Sequence, residues 1–153
     1  MLELWSDYEA VKFTNWPHVS SLQECQERLD RVLEHYRKNP LHFGPYVIRI
    51  AGGQFAGILG ADASEAPPGP YEVWYFVGRR QWRKGIATAA LTELLRHMAA
   101  SGRVTLAFAT AVCDNHASWG LLEKLEFRRQ ERILNGHQRH GLTLDVFKYA
   151  LLI

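Results

Sequence analysis

From Gly78 to Thr88 the chain reads GRRQWRKGIAT and runs directly into AALTELLRHMAA, a series of good helix formers. A helix start normally attracts acidic residues, because its unpaired N–H groups and dipole make that end positive. Here Arg79, Arg80, Arg83 and Lys84 crowd the same place. A turn of this kind aims several backbone N–H groups in one direction, which suits phosphate oxygens, and Gly85 lets a ligand approach the backbone closely. The stretch is neither the nucleotide-binding G-x-x-x-x-G-K-[ST] nor G-x-G-x-x-G. On residues alone, a solvated basic turn ahead of an amphipathic helix remains an equal reading.

Two further residues have types suited to proton transfer. Glu72 is the one charge in YEVWYFV, Tyr71–Val77, a segment apolar on both faces. Burial there raises a carboxyl pKa toward a range useful for a base; pairing with a neighbouring cation, or an exposed strand start, is the alternative. Ser118, in NHASWGLLEKL, is either a hydroxyl poised for a ligand or a helix-start residue bonding its own backbone. Among seven histidines only His137 and His140 are close in sequence, and no Cys or acid clusters with them, so no metal is expected and a solvated hairpin is the simpler reading. Trp5, Trp16, Trp74 and Trp119 are available to line a pocket or to fill a core.

The elements that must position these residues are legible in outline. Ser6 and Glu9, then Ser21 and Glu24, fit S-x-x-E capping boxes. Behind the second box, Leu22, Cys25, Leu29, Val32, Leu33 and Tyr36 share one helical face, and Pro40 ends that helix. YVIRIA, Gly52-Gly53 and QFAGILGA have the form of a glycine-turn hairpin. SEAPPGP connects it to YEVWYFV, which is expected in the middle of a sheet. A helix from about Ile86 follows, with Ala87, Ala90, Leu91, Leu94, Leu95 and Met98 on its buried stripe. VTLAFATAV is the next strand, with the small residues Ala107, Ala109 and Ala111 on one side. After a short helix the chain ends in FRRQERIL, an Asn135-Gly136 turn and LTLDVFKYALL. FRRQERI alternates charge as an edge strand does. The order predicts one mixed α/β domain over residues 1–153, helices packed against a sheet.

The totals exclude several classes. The formal net charge is +2, too small for wholesale attraction to nucleic acid or membrane. No segment nears the ~20 apolar residues that cross a bilayer, and MLELWSDYEA lacks the profile of a signal peptide. Cys25 and Cys113 form no CxxC pair and are expected reduced in a cytoplasmic protein.

QWRKGIAT resembles the pyrophosphate-binding motif [QR]-x-x-G-x-[GA] of the GNAT N-acetyltransferases, with Trp82 in the first position and Gly85 and Ala87 in the small ones. EVWYFVGRRQWRKGIATAA is similar, without a gap, to the RimJ/RimL-like branch of that superfamily. A second block, Asn115 to Phe127, resembles the family's N-x-x-S-x-x-[VL]-L-E-K-x-G-F. The resemblance implies a GNAT fold: a mixed, mostly antiparallel sheet splayed at its middle, with helices on both faces. It implies acetyl-CoA as co-substrate and a primary amine as acceptor, either a protein N-terminus or a small amine. Backbone amides of Trp82, Arg83, Lys84, Gly85, Ile86, Ala87 and Thr88 would hold the pyrophosphate, with Arg79 and Arg80 near the terminal phosphate. Phe76 and Val77 would offer backbone to the pantetheine arm, and one N–H there would polarise the thioester carbonyl. Asn115 would touch the pantetheine and Ser118 the sulfur. Glu72, ten residues before Trp82, matches the position of a catalytic glutamate in histone-type relatives.

Three positions and one missing element depart from the pattern. The tyrosine that serves many relatives as general acid is Leu122, leaving that role to Ser118, another residue or water. Relatives open with a strand before the first helix; this chain begins at the helix, so a sheet edge is expected to be open or covered by a partner, a homodimer being one arrangement. Glu126 replaces the usual glycine of K-x-G-F, and Trp74 replaces a glycine on the central strand. Two rival functions follow: a CoA-binding protein without turnover, and a small nucleic-acid module using RRQWRK, which the low net charge and absent motif disfavour.

Overall fold

The computed structural model describes residues 1–153. Two single-turn helices, α1 (Leu2–Trp5) and α2 (Tyr8–Val11), precede the long helix α3 (Leu22–Lys38). The strands β1 (Phe43–Arg49), β2 (Phe55–Ala63) and β3 (Gly69–Val77) follow, then helix α4 (Ile86–Ala100), strand β4 (Val104–Val112), helix α5 (His116–Lys124) and strands β5 (Arg128–Arg139) and β6 (Leu142–Leu152). The six strands form one sheet in the order β1-β2-β3-β4-β6-β5. Only β3 and β4 run parallel; every other pair is antiparallel.

Side-chain alternation along β3 divides the core. Val73, Tyr75 and Val77 point to the cluster built with α4 and α5, while Trp74 and Phe76 point to the cluster built with α1, α2 and α3. Helices therefore cover both faces. On the α4 side Leu91 and Met98 are fully buried and Leu94 nearly so, one turn apart on the stripe expected from the sequence. Truncating Leu91 to alanine removes apolar contact worth about 2–5 kcal/mol. The small residues Ala107, Ala109 and Ala111 of β4 lie in the same cluster.

Local chemistry corrects several expectations at element ends. The first capping residue is Asp7, not Ser6: its carboxylate accepts from Glu9 N–H at 3.1 Å. Ser21 caps α3 through Glu24 N–H at 3.1 Å, and Glu24 reaches back to Ser20 N–H at 2.7 Å. Leu22 and Leu33 of the anticipated apolar face are exposed, because α3 rests on the sheet through the strip that runs from Cys25 and Leu29 to Tyr36. Asn135-Gly136 is no hairpin turn but an irregularity inside β5, between Ile133 and His137. The chain reverses instead at His140-Gly141, both with positive φ (54° and 73°), which suits a tight turn between twisted strands. Glu126 adopts φ 66°, so the turn keeps the conformation a glycine would favour. FRRQERI lies on β5, the sheet's edge, as its charge pattern predicts. At the other edge, β1 leaves Tyr46 and Val47 exposed.

Candidate active site

The parallel pairing of β3 with β4 runs from Gly69↔Val104 to Glu72↔Phe108 and stops there. Beyond that pair each strand keeps its outer neighbour: β3 stays on β2 as far as Val77↔Gly57, and β4 stays on β6 as far as Val112↔Val146. The sheet opens as a V with Glu72 at its vertex. Gly78 N–H bonds to Ala56 O on β2, and alternation along an antiparallel pair then turns the Phe76 amide toward β2 as well. The backbone edge facing the opening belongs to Val73, Tyr75 and Val77. Val77 therefore turns its backbone N–H to the opening, whereas Phe76 offers only its side chain to this region. The Val77 carbonyl accepts the indole N–H of Trp82 at 2.8 Å, which ties the following turn to the strand end.

That turn has the geometry an oxyanion ligand needs. Arg83 (φ 61°) and Gly85 (φ 75°) are both left-handed, and Gly85 is the N-cap of α4 with no side chain capping the helix. None of the N–H groups from Arg83 to Thr88 has a hydrogen-bond partner within the protein. Four or more donors at the positive end of a 15-residue helix make an anion site. A Cβ added at Gly85 would meet nothing within 4 Å, so the glycine is required by its φ and not by packing. Of the flanking cations, Arg79 pairs with Asp7 at 3.0 Å and Arg80 with Glu3 at 3.1 Å, tying the turn to α1 and α2.

One cavity of about 1130 Å³ joins the turn to the V and continues past Glu72 toward α3. Glu72 is half-buried. Burial pushes its carboxyl pKa up, the charge of Asp62 adds to the rise, and Thr110 and Lys148 oppose it. Asp62 lies opposite Glu72 in the β2–β3 register. It accepts from Tyr36 Oη at 2.5 Å, and Tyr36 Oη accepts from the Trp74 indole at 2.9 Å. Trp74 has room on the strand because Gly60 sits beneath it; a Cβ there would lie 2.5 Å from the Trp74 ring. The tryptophans divide: Trp74 and Trp16 line the cavity 5.8 Å apart, Trp5 stacks fully buried behind Trp16, and Trp119 packs against the α4–α5 core.

On the opposite wall Asn115 caps α5, its side-chain oxygen accepting from Ser118 N–H at 3.2 Å. Ser118 Oγ is thereby left for other work and lies 2.8 Å from Tyr75 Oη. Tyr75 also donates to Ser118 O at 3.1 Å, and burial pushes its phenol up to about 12, so it stays protonated.

Asp62, Tyr36 and Tyr75 were missed in the sequence. Asp62 carries the same signal as Glu72, a lone acid in an apolar strand; the two tyrosines look like core residues. His137 is buried, not part of a solvated hairpin, and its Nε2–H donates to Lys12 O at 3.2 Å while His140 donates to Trp16 O at 3.0 Å. His35 and His42, distant from that pair, stack beside Asp62. His42 Nδ1 accepts Ala63 N–H at 2.8 Å, which places the ring proton on Nε2 and leaves no ring lone pair for a ligand.

A six-stranded α/β sheet that opens in its middle beside an uncapped helix turn defines an acyl-CoA-binding class of fold. The sequence profile of the acetyltransferase (GNAT) domain matches residues 1–128, and the chain belongs to that family. An N-acetyltransferase of uncharacterised role, p20 of Bacillus licheniformis, is 21% identical over 152 residues, covering 99% of this chain and 85% of its own. Among solved structures, RimL, the ribosomal L7/L12 alpha-N-protein acetyltransferase, in complex with coenzyme A superposes with a TM-score of 0.86 at 21% identity, over 99% of this chain and 86% of that one. The acetyl transferase of Salmonella typhimurium that modifies the N-terminal serine of L7/L12 gives 0.84 at 20%, with the same coverage. The microcin C7 self-immunity acetyltransferase MccE, bound to acetyl-CoA and AMP, gives 0.81 at 18%, over 99% and 83%.

Proposed function

We propose that the protein transfers the acetyl group of acetyl-CoA to an α-amino group in a ternary complex, with the Arg83–Thr88 turn holding the pyrophosphate. The observation that carries this reading is the run of unpartnered N–H groups from Arg83 to Thr88 opening onto the same cavity as Glu72. The exposed backbone of Val73, Tyr75 and Val77 provides hydrogen bonds for the pantetheine amides, and Asn115 and Ser118 close the far side.

In the chemical step the amine nitrogen bonds to the thioester carbon as the C–S bond breaks. The amine proton passes to Glu72, directly or through water, and the departing sulfur takes a proton in turn. A backbone N–H in the opening stabilises the charge developing on the carbonyl oxygen. When the Tyr75 proton turns from Ser118 O to Ser118 Oγ, the serine hydroxyl is freed to donate a hydrogen bond to the sulfur. With Tyr75 near 12, neither hydroxyl gives its proton up outright to a thiolate, so their contribution is hydrogen bonding.

An α-amine suits this machinery better than a lysine side chain. Its ordinary pKa of about 8 leaves a sizeable neutral fraction at physiological pH, against about 10.4 for lysine, and a half-buried carboxylate is a modest base. The relative from Salmonella typhimurium that modifies an N-terminal serine supports the same choice. Titration calorimetry with acetyl-CoA is the first test: sub-millimolar binding is expected, and none at that concentration removes the reading. Acetyl transfer to peptides with free N-termini, and not to their N-acetylated counterparts bearing lysine, is the second.

A further inference from the structure

Beside the main cavity lies a smaller one of about 310 Å³, between the N-terminal segment, α3 and the tip of the β5–β6 hairpin. Its walls are Asn15, Pro17, His18, Arg28, Arg139 and His140, all polar or charged but the proline. Asn15 and Arg28 also line the main cavity, so the two spaces adjoin.

The charges here are uncompensated. Arg28 and Arg139 make no ion pair, nor does the neighbouring Arg31. Arg28 Nε is buried and without a hydrogen-bond partner, which is costly for a guanidinium N–H unless a ligand accepts from it. Burial lowers the Arg28 pKa, and the charges of Arg31 and Arg139 lower it further. The nearby acids are already engaged: Glu24 accepts from Ser20 N–H and Ser20 Oγ–H, and Glu9 pairs with Lys12 at 2.7 Å. His18 and His140 are pinned by Nε2–H donation to Ser6 O and Trp16 O, at 2.9 and 3.0 Å. The arrangement leaves two guanidinium forks, which match the oxygens of carboxylate or phosphate.

We propose that this cavity is an acceptor subsite for an oxyanion, so that the amine acetylated near Glu72 belongs to a molecule carrying a carboxylate or phosphate that docks on Arg28 and Arg139. The inference rests on the reading that the main cavity receives the acceptor. The acidic end of the cleft, Glu72 and Asp62, attracts the amine, while the basic end fixes the other charge. Opposite fields at the two ends orient such a molecule and reject one that carries an amine alone.

The test uses three peptides with free N-termini and amidated C-termini: Ser-Ala-Glu-Ala, Ser-Ala-Gln-Ala and Ser-Ala-phosphoSer-Ala. Steady-state acetylation by the full chain is expected to show KM for the glutamate or phosphoserine peptide about tenfold below that of the glutamine peptide. Which of the two is favoured distinguishes a carboxylate from a phosphate. Arg139→Glu, at an exposed position, is expected to erase that preference, raising KM for the two acidic peptides more than for the glutamine peptide. Equal KM values for all three peptides with the wild-type chain overturn the proposal, as does an Arg139→Glu effect equal across the three. Calorimetric titration of inorganic phosphate separates this from failure of the transfer reading. Millimolar binding that Arg139→Glu abolishes upholds the site even if no peptide is acetylated, and no phosphate binding by an enzyme without acidic preference sinks it.

Discussion

The Tyr75 phenol and the Ser118 hydroxyl lie 2.8 Å apart across the wall of the cleft, joining β3 to the first turn of α5. The tyrosine that many relatives carry in this helix is Leu122 here, and Leu122 is fully buried in the core. The phenol beside Ser118 comes instead from β3. It reaches Ser118 because Asn115, and not Ser118, caps α5.

Tyr75→Phe is expected to reduce kcat several-fold with little change in KM for acetyl-CoA, and to cost about 1 kcal/mol of stability for the lost hydrogen bonds. In a Ser118→Ala background the same substitution should lower kcat no further. A double-mutant cycle on kcat checks this; additive losses would show that Tyr75 acts independently of Ser118.

Glu72 has a raised pKa in the folded chain, so more protons are bound there folded than unfolded between its ordinary and raised values. Its contribution to stability is therefore fully present below the ordinary carboxylate pKa and declines as pH rises through the raised one. Activity runs the other way, since the base must be ionised. The kcat/KM profile is expected to rise with a midpoint above the usual carboxylate range. Glu72→Gln should flatten that limb, reduce kcat by about 100-fold, and remove the matching slope from denaturation midpoints measured against pH.

Gly85 and Gly102 are both left-handed, at φ 75° and 65°, and a Cβ at either would meet nothing within 4 Å. Alanine at each should cost a similar stability, on the order of 1 kcal/mol, from backbone strain alone. Only Gly85→Ala is expected to weaken acetyl-CoA, by about tenfold or more, because only there does a ligand approach the backbone. Paired thermal melts and calorimetry decide it: equal acetyl-CoA affinities in the two variants would remove the turn from the donor site.

Glu126 holds φ 66° between α5 and β5, a conformation that costs a β-carbon-bearing residue about 1 kcal/mol. Its side chain is exposed and makes no hydrogen bond or ion pair. Glu126→Gly is expected to raise stability by several tenths of a kcal/mol to 1 kcal/mol in chemical denaturation, at unchanged activity.

The donor side of this protein is written in consecutive residues. The turn from Trp82 to Thr88 is local: its left-handed glycine, missing side-chain cap and following helix formers depend on neighbours a few positions away, so sequence alone specified the element and the cations that crowd it. The order of strands and helices, and Glu72 as a lone acid in an apolar strand, were legible for the same reason. The acceptor side is assembled from distant segments. Asp62 meets Glu72 through strand register, Tyr36 reaches Asp62 from α3, and Arg28 meets Arg139 across 111 positions through the folding of the hairpin over the N-terminal segment. No periodicity or cap encodes such meetings. They are fixed by how two helix layers pack on a sheet that opens where β3 and β4 stop pairing, which is a property of the whole chain and of no stretch within it.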